Sequence, residues 1–283
     1  RDASPPRGIG RDRAATVGLL VALAVTAIVF GRVTGLGFIG SNWDDAINVY
    51  ENPFLRLPLE QALARFWSAP YFASYIPVTR SVWTLLWHAS PEPWAFHAAN
   101  LAVHALSVGL VFALLRRLAF GAAASTIGSL VFAVHPVQVE AVAWATGMKD
   151  LLGAALTLLA LLFALRHLAA AEARRGTGIG WALLLSTVAV AAAVLSKASA
   201  VAAPLLLVVL ARFRGHAWRA VLVVVATWLV VLVPCVWVAR GAEVETALAV
   251  PAVTAWLRPI VFADAIGFYL FNLVAQLPRV FAL

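Results

Sequence analysis

Charge and cysteine are what this sequence lacks. Only 12% of its 283 residues are Asp, Glu, Lys or Arg, 63% are hydrophobic, and mean hydropathy is +0.91. Soluble domains carry about 25% charged residues, so the deficit points to a polytopic membrane protein. The formal net charge of +8 does not restore a nucleic-acid reading. The basic residues lie in short gaps between apolar runs, as membrane topology requires, and no nucleic-acid partner is expected. The single cysteine, Cys235, sits inside an apolar run, which excludes an intrachain disulfide and a cysteine metal site. Low-complexity tracts, internal repeats and a soluble domain are also missing, so residues 1–283 read as one transmembrane domain. Residue 1 is Arg, the only methionine is Met148, and an apolar run stops at Val280-Phe281-Ala282-Leu283. We therefore expect a piece of a longer chain.

What is present is a series of apolar runs. Taking stretches of roughly 17 to 25 residues as bilayer spans gives an all-α bundle of about eight transmembrane helices. They fall near 14–34, 94–115, 118–134, 149–166, 180–196, 199–212, 219–239 and 259–278. Residues 17–30 follow Arg7, Arg11 and Arg13 as a signal core would, but no small-x-small cleavage pattern precedes Gly35; this is an uncleaved anchor. Residues 35–93 form a long first loop, too polar to span yet rich in aromatics. Within it, 59–68 and 78–88 set Leu, Phe or Trp against Arg and Gln at helical spacing, predicting helices that lie in the headgroup layer. Trp67, Trp83, Trp87 and Trp94 would form an aromatic belt. With the amino terminus in the cytoplasm, thirteen of the 21 basic residues fall inside and nine of the thirteen acids outside. That bias makes the loop extracytoplasmic.

The first candidate site lies in this loop, at Gly40-Ser41-Asn42-Trp43-Asp44-Asp45. Asp44 and Asp45, just beyond an apolar segment, suit a general base, a hydroxyl acceptor or a ligand for a divalent cation; the alternative is two solvated loop acids. A second polar cluster, His135-Pro136-Val137-Gln138-Val139-Glu140 with Lys149 and Asp150, emerges after the third span. Pro136 ends that helix and frees backbone to line a cavity, or simply to make a capped turn. An odd number of crossings puts both clusters at one membrane level, and Asp44, Asp45, Glu140 and Lys149 are expected to border one cavity.

Lysine is scarce. The 21 basic residues are nineteen arginines and two lysines, Lys149 and Lys197, both near outer ends of spans. A compact ammonium suits a phosphate oxygen, though two residues can fall so by chance. Arg80 in the outer segment has two readings, pairing a phosphate or snorkelling. His97 and His104, seven apart on one helical face, lack a dedicated metal motif and read more readily as packed or hydrogen-bonded histidines.

Taken together, Trp43-Asp44-Asp45, Tyr75-x-Pro77-x-Thr79-Arg80, Phe96-His97-x-x-Asn100-x-x-x-His104, His135-Pro136-Val137-x-x-Glu140, Lys149-Asp150-Leu151-Leu152, Leu195-Ser196-Lys197 and Arg258-Pro259 with Gly267-Phe268-Tyr269 resemble the membrane half of bacterial tetratricopeptide-repeat membrane proteins. These are similar to the transmembrane and tetratricopeptide-repeat O-mannosyltransferases of the glycosyltransferase C superfamily. The resemblance runs in order over 38–272, and the motifs in combination are far more specific than any one of them. It implies an integral, multi-pass protein of the bacterial inner membrane that uses a polyprenyl-phosphate sugar donor and a protein or glycan acceptor among membrane lipid. It places the catalytic acids on Asp44 and Asp45 and further donor or substrate contacts on Arg80, His97, His135, Glu140, Lys149, Asp150 and Lys197. No cofactor is certain; a divalent cation at the acid pair is compatible but not required. The expected activity is sugar transfer to an acceptor hydroxyl. A transporter or flippase and a non-catalytic scaffold remain the alternatives, although no inverted repeat is visible.

Overall fold

The computed structural model describes residues 9–41, 43–72, 74–173, 178–246 and 254–280. Arg1, Arg7, Arg174 and Arg175, four of the thirteen basic residues counted as cytoplasmic, lie outside them. The described residues are helical, without strands. In chain order the helices are α1 (Ile9–Phe30), α2 (Leu59–Ser68), α3 (Pro77–Ala89), α4 (Pro93–Arg117), α5 (Ala122–Val134), α6 (Gln138–Ala143), α7 (Met148–Glu172), α8 (Gly178–Ser196), α9 (Ala203–Phe213), α10 (Trp218–Thr246) and α11 (Arg258–Val280).

Among the described residues four helical segments are long and apolar enough to cross a membrane: Arg13–Gly35, Pro93–Arg117, Ala145–Glu172 and Trp218–Gly241. Ala122–Val134, Gly180–Ser196 and Ala198–Phe213 are apolar but shorter. The chain is an integral membrane protein, and its helix ends follow local chemistry. Pro93 opens α4, where a missing N–H costs nothing, and Arg116 and Arg117 close it against the negative end of the helix dipole. α5 stops at Val134 because Pro136 pushes His135 into an extended conformation (φ −60°, ψ 133°). The run expected at 199–212 divides instead into a tight 3-10 turn, Ala198–Ala202, followed by α9.

Small residues let these helices approach. Ala160 and Ala164 of α7 meet Ala189, Val190 and Ala193 of α8 in the main core, which Leu207 of α9 and Trp228 of α10 complete. Trp228 donates its indole N–H to Ser186 Oγ at 3.1 Å, so this buried ring is not left with an unpaired donor.

The long loop holds the two expected helices. α2 matches residue for residue, and α3 runs one residue further at each end than predicted. Yet the two pair with each other, and α3 leans on α8, where Thr79 Oγ1 donates to Ser196 O at 3.0 Å. Val49, Leu55, Phe66, Trp83, Phe96 and Met148 form a second core beneath the loop. Trp83, assigned above to an aromatic belt, is buried at its centre, whereas Trp67 and Trp94 are exposed. An amphipathic helix buries its apolar face against whatever apolar surface is available, and here α3 finds protein.

Candidate functional site

The second core puts the acid pair against the start of α7. Asp44 and Asp45 begin a helical turn that widens into π-helix over Ala46–Tyr50. Adjacent residues on such a turn point about 100° apart, so the two carboxylates face different surroundings.

Asp45 points inward and is fully buried. Its Oδ1 accepts hydrogen bonds from the backbone N–H of Thr146 (3.0 Å) and from Thr146 Oγ1 (2.9 Å), and its Oδ2 accepts from Ile39 N–H (3.1 Å). The carboxylate thus ties residues 39 and 146 together just ahead of α7. Helix starts leave N–H groups without intrahelical partners and favour negative charge, which accounts for a carboxylate at this position.

Asp44 points outward. Its Oδ2 accepts from Lys149 Nζ at 2.8 Å across 105 residues of sequence, with side chains 43% and 30% exposed. One helical position further on, Asp150 pairs with Lys197 from the end of α8. Asp44, Glu140, Lys149, Asp150 and Lys197 line one cavity of about 420 Å³, together with Trp144 and Gly147. Glu140 is exposed at its edge and makes no ion pair or side-chain hydrogen bond among the described residues. The cavity therefore holds three acids and two ammonium groups, with Glu140 as the unpaired charge.

Gly147 is needed for this arrangement. A Cβ there would stand 2.1 Å from the Ala141 carbonyl oxygen, so any side chain would force α6 away from the start of α7.

Two apolar recesses adjoin the cavity. One, of about 430 Å³, is lined by Leu36, Ile39, Trp43, Val139 and Trp144 and shares Glu140 and Trp144 with the polar cavity. Trp43 and Trp144 meet edge to face at 6.0 Å across it. The other, of about 380 Å³, runs along α7 beside α9 and shares Asp150 and Lys197.

Arg80, His97 and His135 do not line the cavity. Arg80 is fully buried, donating to Tyr71 O (2.6 Å), Ser74 O (2.9 Å) and Ser74 Oγ (2.8 Å), with its guanidinium over the rings of Tyr71 and Phe66. Burial pulls its pKa down to about 10, so it remains a cation at neutral pH. It ties Tyr71 and Ser74 to α3. His97 is buried and faces the Gly37 carbonyl (Nε2 to O, 3.4 Å), bracing the strand of chain that leads to Asp44. His135 accepts Val137 N–H at 3.2 Å through Nδ1 and caps the turn after α5. His104 contacts the Ala133 carbonyl (3.0 Å) and stacks on Phe132.

As for a cation, among the described residues no group of three or more His, Cys, Asp or Glu side chains is placed to hold a metal. Asp45 spends both oxygens on N–H and O–H donors, and Asp44 faces an ammonium. The acid pair does not form a cation site in this arrangement.

Sequence reading did not single out Thr146, and it named Asn100 only within a motif, without a role. Asn100 Nδ2 donates to Trp144 O (2.6 Å) and Val142 O (3.4 Å), fixing the link between α6 and α7 from α4. Both residues carried a signal: Thr146 precedes a helix start whose N–H groups need acceptors, and Asn100 is an amide within an apolar span.

No protein-family model matches the chain, and no solved structure matches it. Curated proteins do. The chain is 35% identical over 124 residues to protein O-mannosyl-transferase Tmtc2 of Drosophila melanogaster, which covers 44% of this chain and 13% of the relative. It is 31% identical over 152 residues to protein O-mannosyl-transferase TMTC3 of Homo sapiens, covering 50% and 16%. A protein O-mannosyl-transferase of Caenorhabditis elegans is 30% identical over 163 residues, covering 53% and 23%. The chain thus resembles these O-mannosyltransferases over about half its own length, and the match spans less than a quarter of theirs.

Proposed function

We propose that this chain is the membrane part of a glycosyltransferase that moves a sugar from a polyprenyl-phosphate donor to a hydroxyl of a protein or glycan acceptor. The reaction takes place on the extracytoplasmic face, with about eight spans and a cytoplasmic amino terminus. The observation that carries the reading is the single cavity joining Asp44 to Lys149 and Asp150 to Lys197, residues drawn from three distant parts of the chain. The resemblance to named O-mannosyltransferases supports it independently.

Asp44 is the general base. The acceptor O–H proton passes to its carboxylate as the acceptor oxygen bonds to the anomeric carbon. The bond from that carbon to the donor phosphate breaks, and its electron pair leaves on phosphate oxygen. Lys197 neutralises the phosphate, while Lys149 orients Asp44 by holding one of its oxygens. Charges fixed before the reaction lower such a barrier because little reorganisation is needed as charge develops. Asp45 is a positioning residue that acts through Thr146 and Ile39. Clustering of the charges at one end of the helices favours this chemistry over transport, for which a site at mid-membrane is usual.

The test uses the full-length protein in proteoliposomes with a radiolabelled polyprenyl-phosphate sugar. Asp44→Asn should abolish transfer while membrane insertion is unchanged; normal turnover in that variant would sink the assignment.

A further inference from the structure

We propose that Arg117, Arg166 and Arg214 form a binding site for the phosphate of an anionic membrane lipid, at the end of the helices opposite the polar cavity. The site does not depend on the glycosyltransferase reading, and either can fail while the other stands.

Distance along the helices sets its depth. Seventeen residues separate Asn100, which is bonded to Trp144 at the cavity, from Arg117 on α4, and seventeen separate Lys149 from Arg166 on α7. At 1.5 Å each these are about 25 Å, close to the ~30 Å of a bilayer core. Packing then draws three separate helix ends together. Leu118 after α4, Leu165 and Leu168 of α7 and Ala211 of α9 are buried in the main core. Arg117 Nη2 donates across that contact to Leu165 O at 3.4 Å, which carries its guanidinium to the neighbour of Arg166. Three residues on, Phe120 stacks on Phe213 at 6.0 Å, next to Arg214. Both Arg166 and Arg214 stand close enough to act on the Arg117 charge.

Three like charges gathered in this way repel one another unless an anion offsets them. No carboxylate does so among the described residues. None of the three arginines is in an ion pair, and Glu172, the acid at this end of α7, faces His216 Nδ1 at 3.0 Å and accepts Ala217 N–H at 3.3 Å. Neighbouring Arg116 and Arg212 are used differently: they donate to Phe120 O (2.8 Å) and His216 O (2.6 Å) and hold the turns after α4 and α9. Arginines that only set orientation need not converge. These do, and the planar fork of arginine suits phosphate oxygens. The stacked Phe120 and Phe213 are exposed beside them, an apolar surface that serves the acyl chain of a lipid and offers nothing to a free phosphate.

The test measures lipid binding, with no sugar or acceptor present. Full-length protein in uncharged detergent is titrated with phosphatidylglycerol or with phosphatidylcholine, and bound lipid is counted by native mass spectrometry. Wild type should hold phosphatidylglycerol in preference. Arg117→Gln, Arg166→Gln and Arg214→Gln should each weaken that binding about fivefold, the share of one basic residue near a lipid surface, and the triple variant should weaken it about a hundredfold. All three positions are exposed, and Arg166→Gln should melt no lower than wild type without lipid, since it relieves repulsion. The matched control, Arg116→Gln with Arg212→Gln, removes as much positive charge as any two of the three and should bind as wild type does. Equal weakening in that control would mean general attraction to a basic surface and would overturn the site, as would equal affinity for the two lipids. Displacement of phosphatidylglycerol by millimolar inorganic phosphate would overturn the lipid as occupant in favour of a free phosphate.

Discussion

Replacing Asp45 with alanine tests the division of labour between the two adjacent acids. The substitution removes a fully buried carboxylate and strands three donors, the N–H groups of Ile39 and Thr146 and the Thr146 hydroxyl. Hydrogen bonds to a charged group contribute about 1.5–3 kcal/mol each, and the hydroxyl can turn to another acceptor, so the loss should be about 3–5 kcal/mol. For a domain of this size that lowers an apparent melting temperature by about 10 °C. Asp44→Ala breaks only a half-exposed ion pair, for which about 0–1 kcal/mol is usual, and should shift melting by a few degrees at most. Both variants should lose transfer, one through chemistry and the other through a displaced site. Thermal scans of detergent-purified protein beside the transfer assay separate the two causes. Equal melting losses for Asp44→Ala and Asp45→Ala would refute the reasoning, because the model of one buried tie and one cavity-facing base requires them to differ.

Other substitutions follow the same logic. Thr146→Val keeps the backbone donor but removes the hydroxyl, and should lower stability by about 1.5–3 kcal/mol while reducing transfer less than Asp44→Asn does. Gly147→Ala meets a backbone carbonyl with no flexible side chain to give way, and should cost about 3 kcal/mol or show as loss of folded protein by size-exclusion chromatography. Arg80→Lys replaces a fork that reaches three acceptors with one ammonium, and a melting loss of about 2–4 kcal/mol is expected. The folded pKa of Arg80, about 10, lies below its ordinary value of 12.5, so the unfolded chain binds this proton more tightly. Stability from this group therefore rises only as pH climbs through that window and is constant below it, and the wild-type contribution should be flat from about pH 6 to 9.

Several features were legible because they are local. α2 begins and ends where its pattern of Leu, Ala and Phe against Glu, Gln and Arg predicts, and Pro136 marks the end of α5. The two polar clusters stand out because charge is rare elsewhere. Trp83 was misjudged because amphipathic spacing states that a face will be buried, not what will cover it. The lipid headgroup layer and a protein core look alike to the sequence, and α3 met α8 and Phe66 instead.

By itself, then, the sequence determined that this is a helical membrane protein, which stretches are apolar enough to enter a bilayer, and which few residues carry chemistry. Those are sums of transfer free energy over windows of about twenty residues, which neighbours along the chain suffice to fix. The tertiary structure decided the pairing of Asp44 with Lys149 across 105 residues and of Asp150 with Lys197 across 47. It also decided that Asp44 faces the cavity while Asp45 is sealed beneath it. Adjacent residues share every window a sequence can offer; only the packing of the loop against α4 and α7 turns one carboxylate toward solvent and the other toward buried N–H groups, where a charge needs its donors in place.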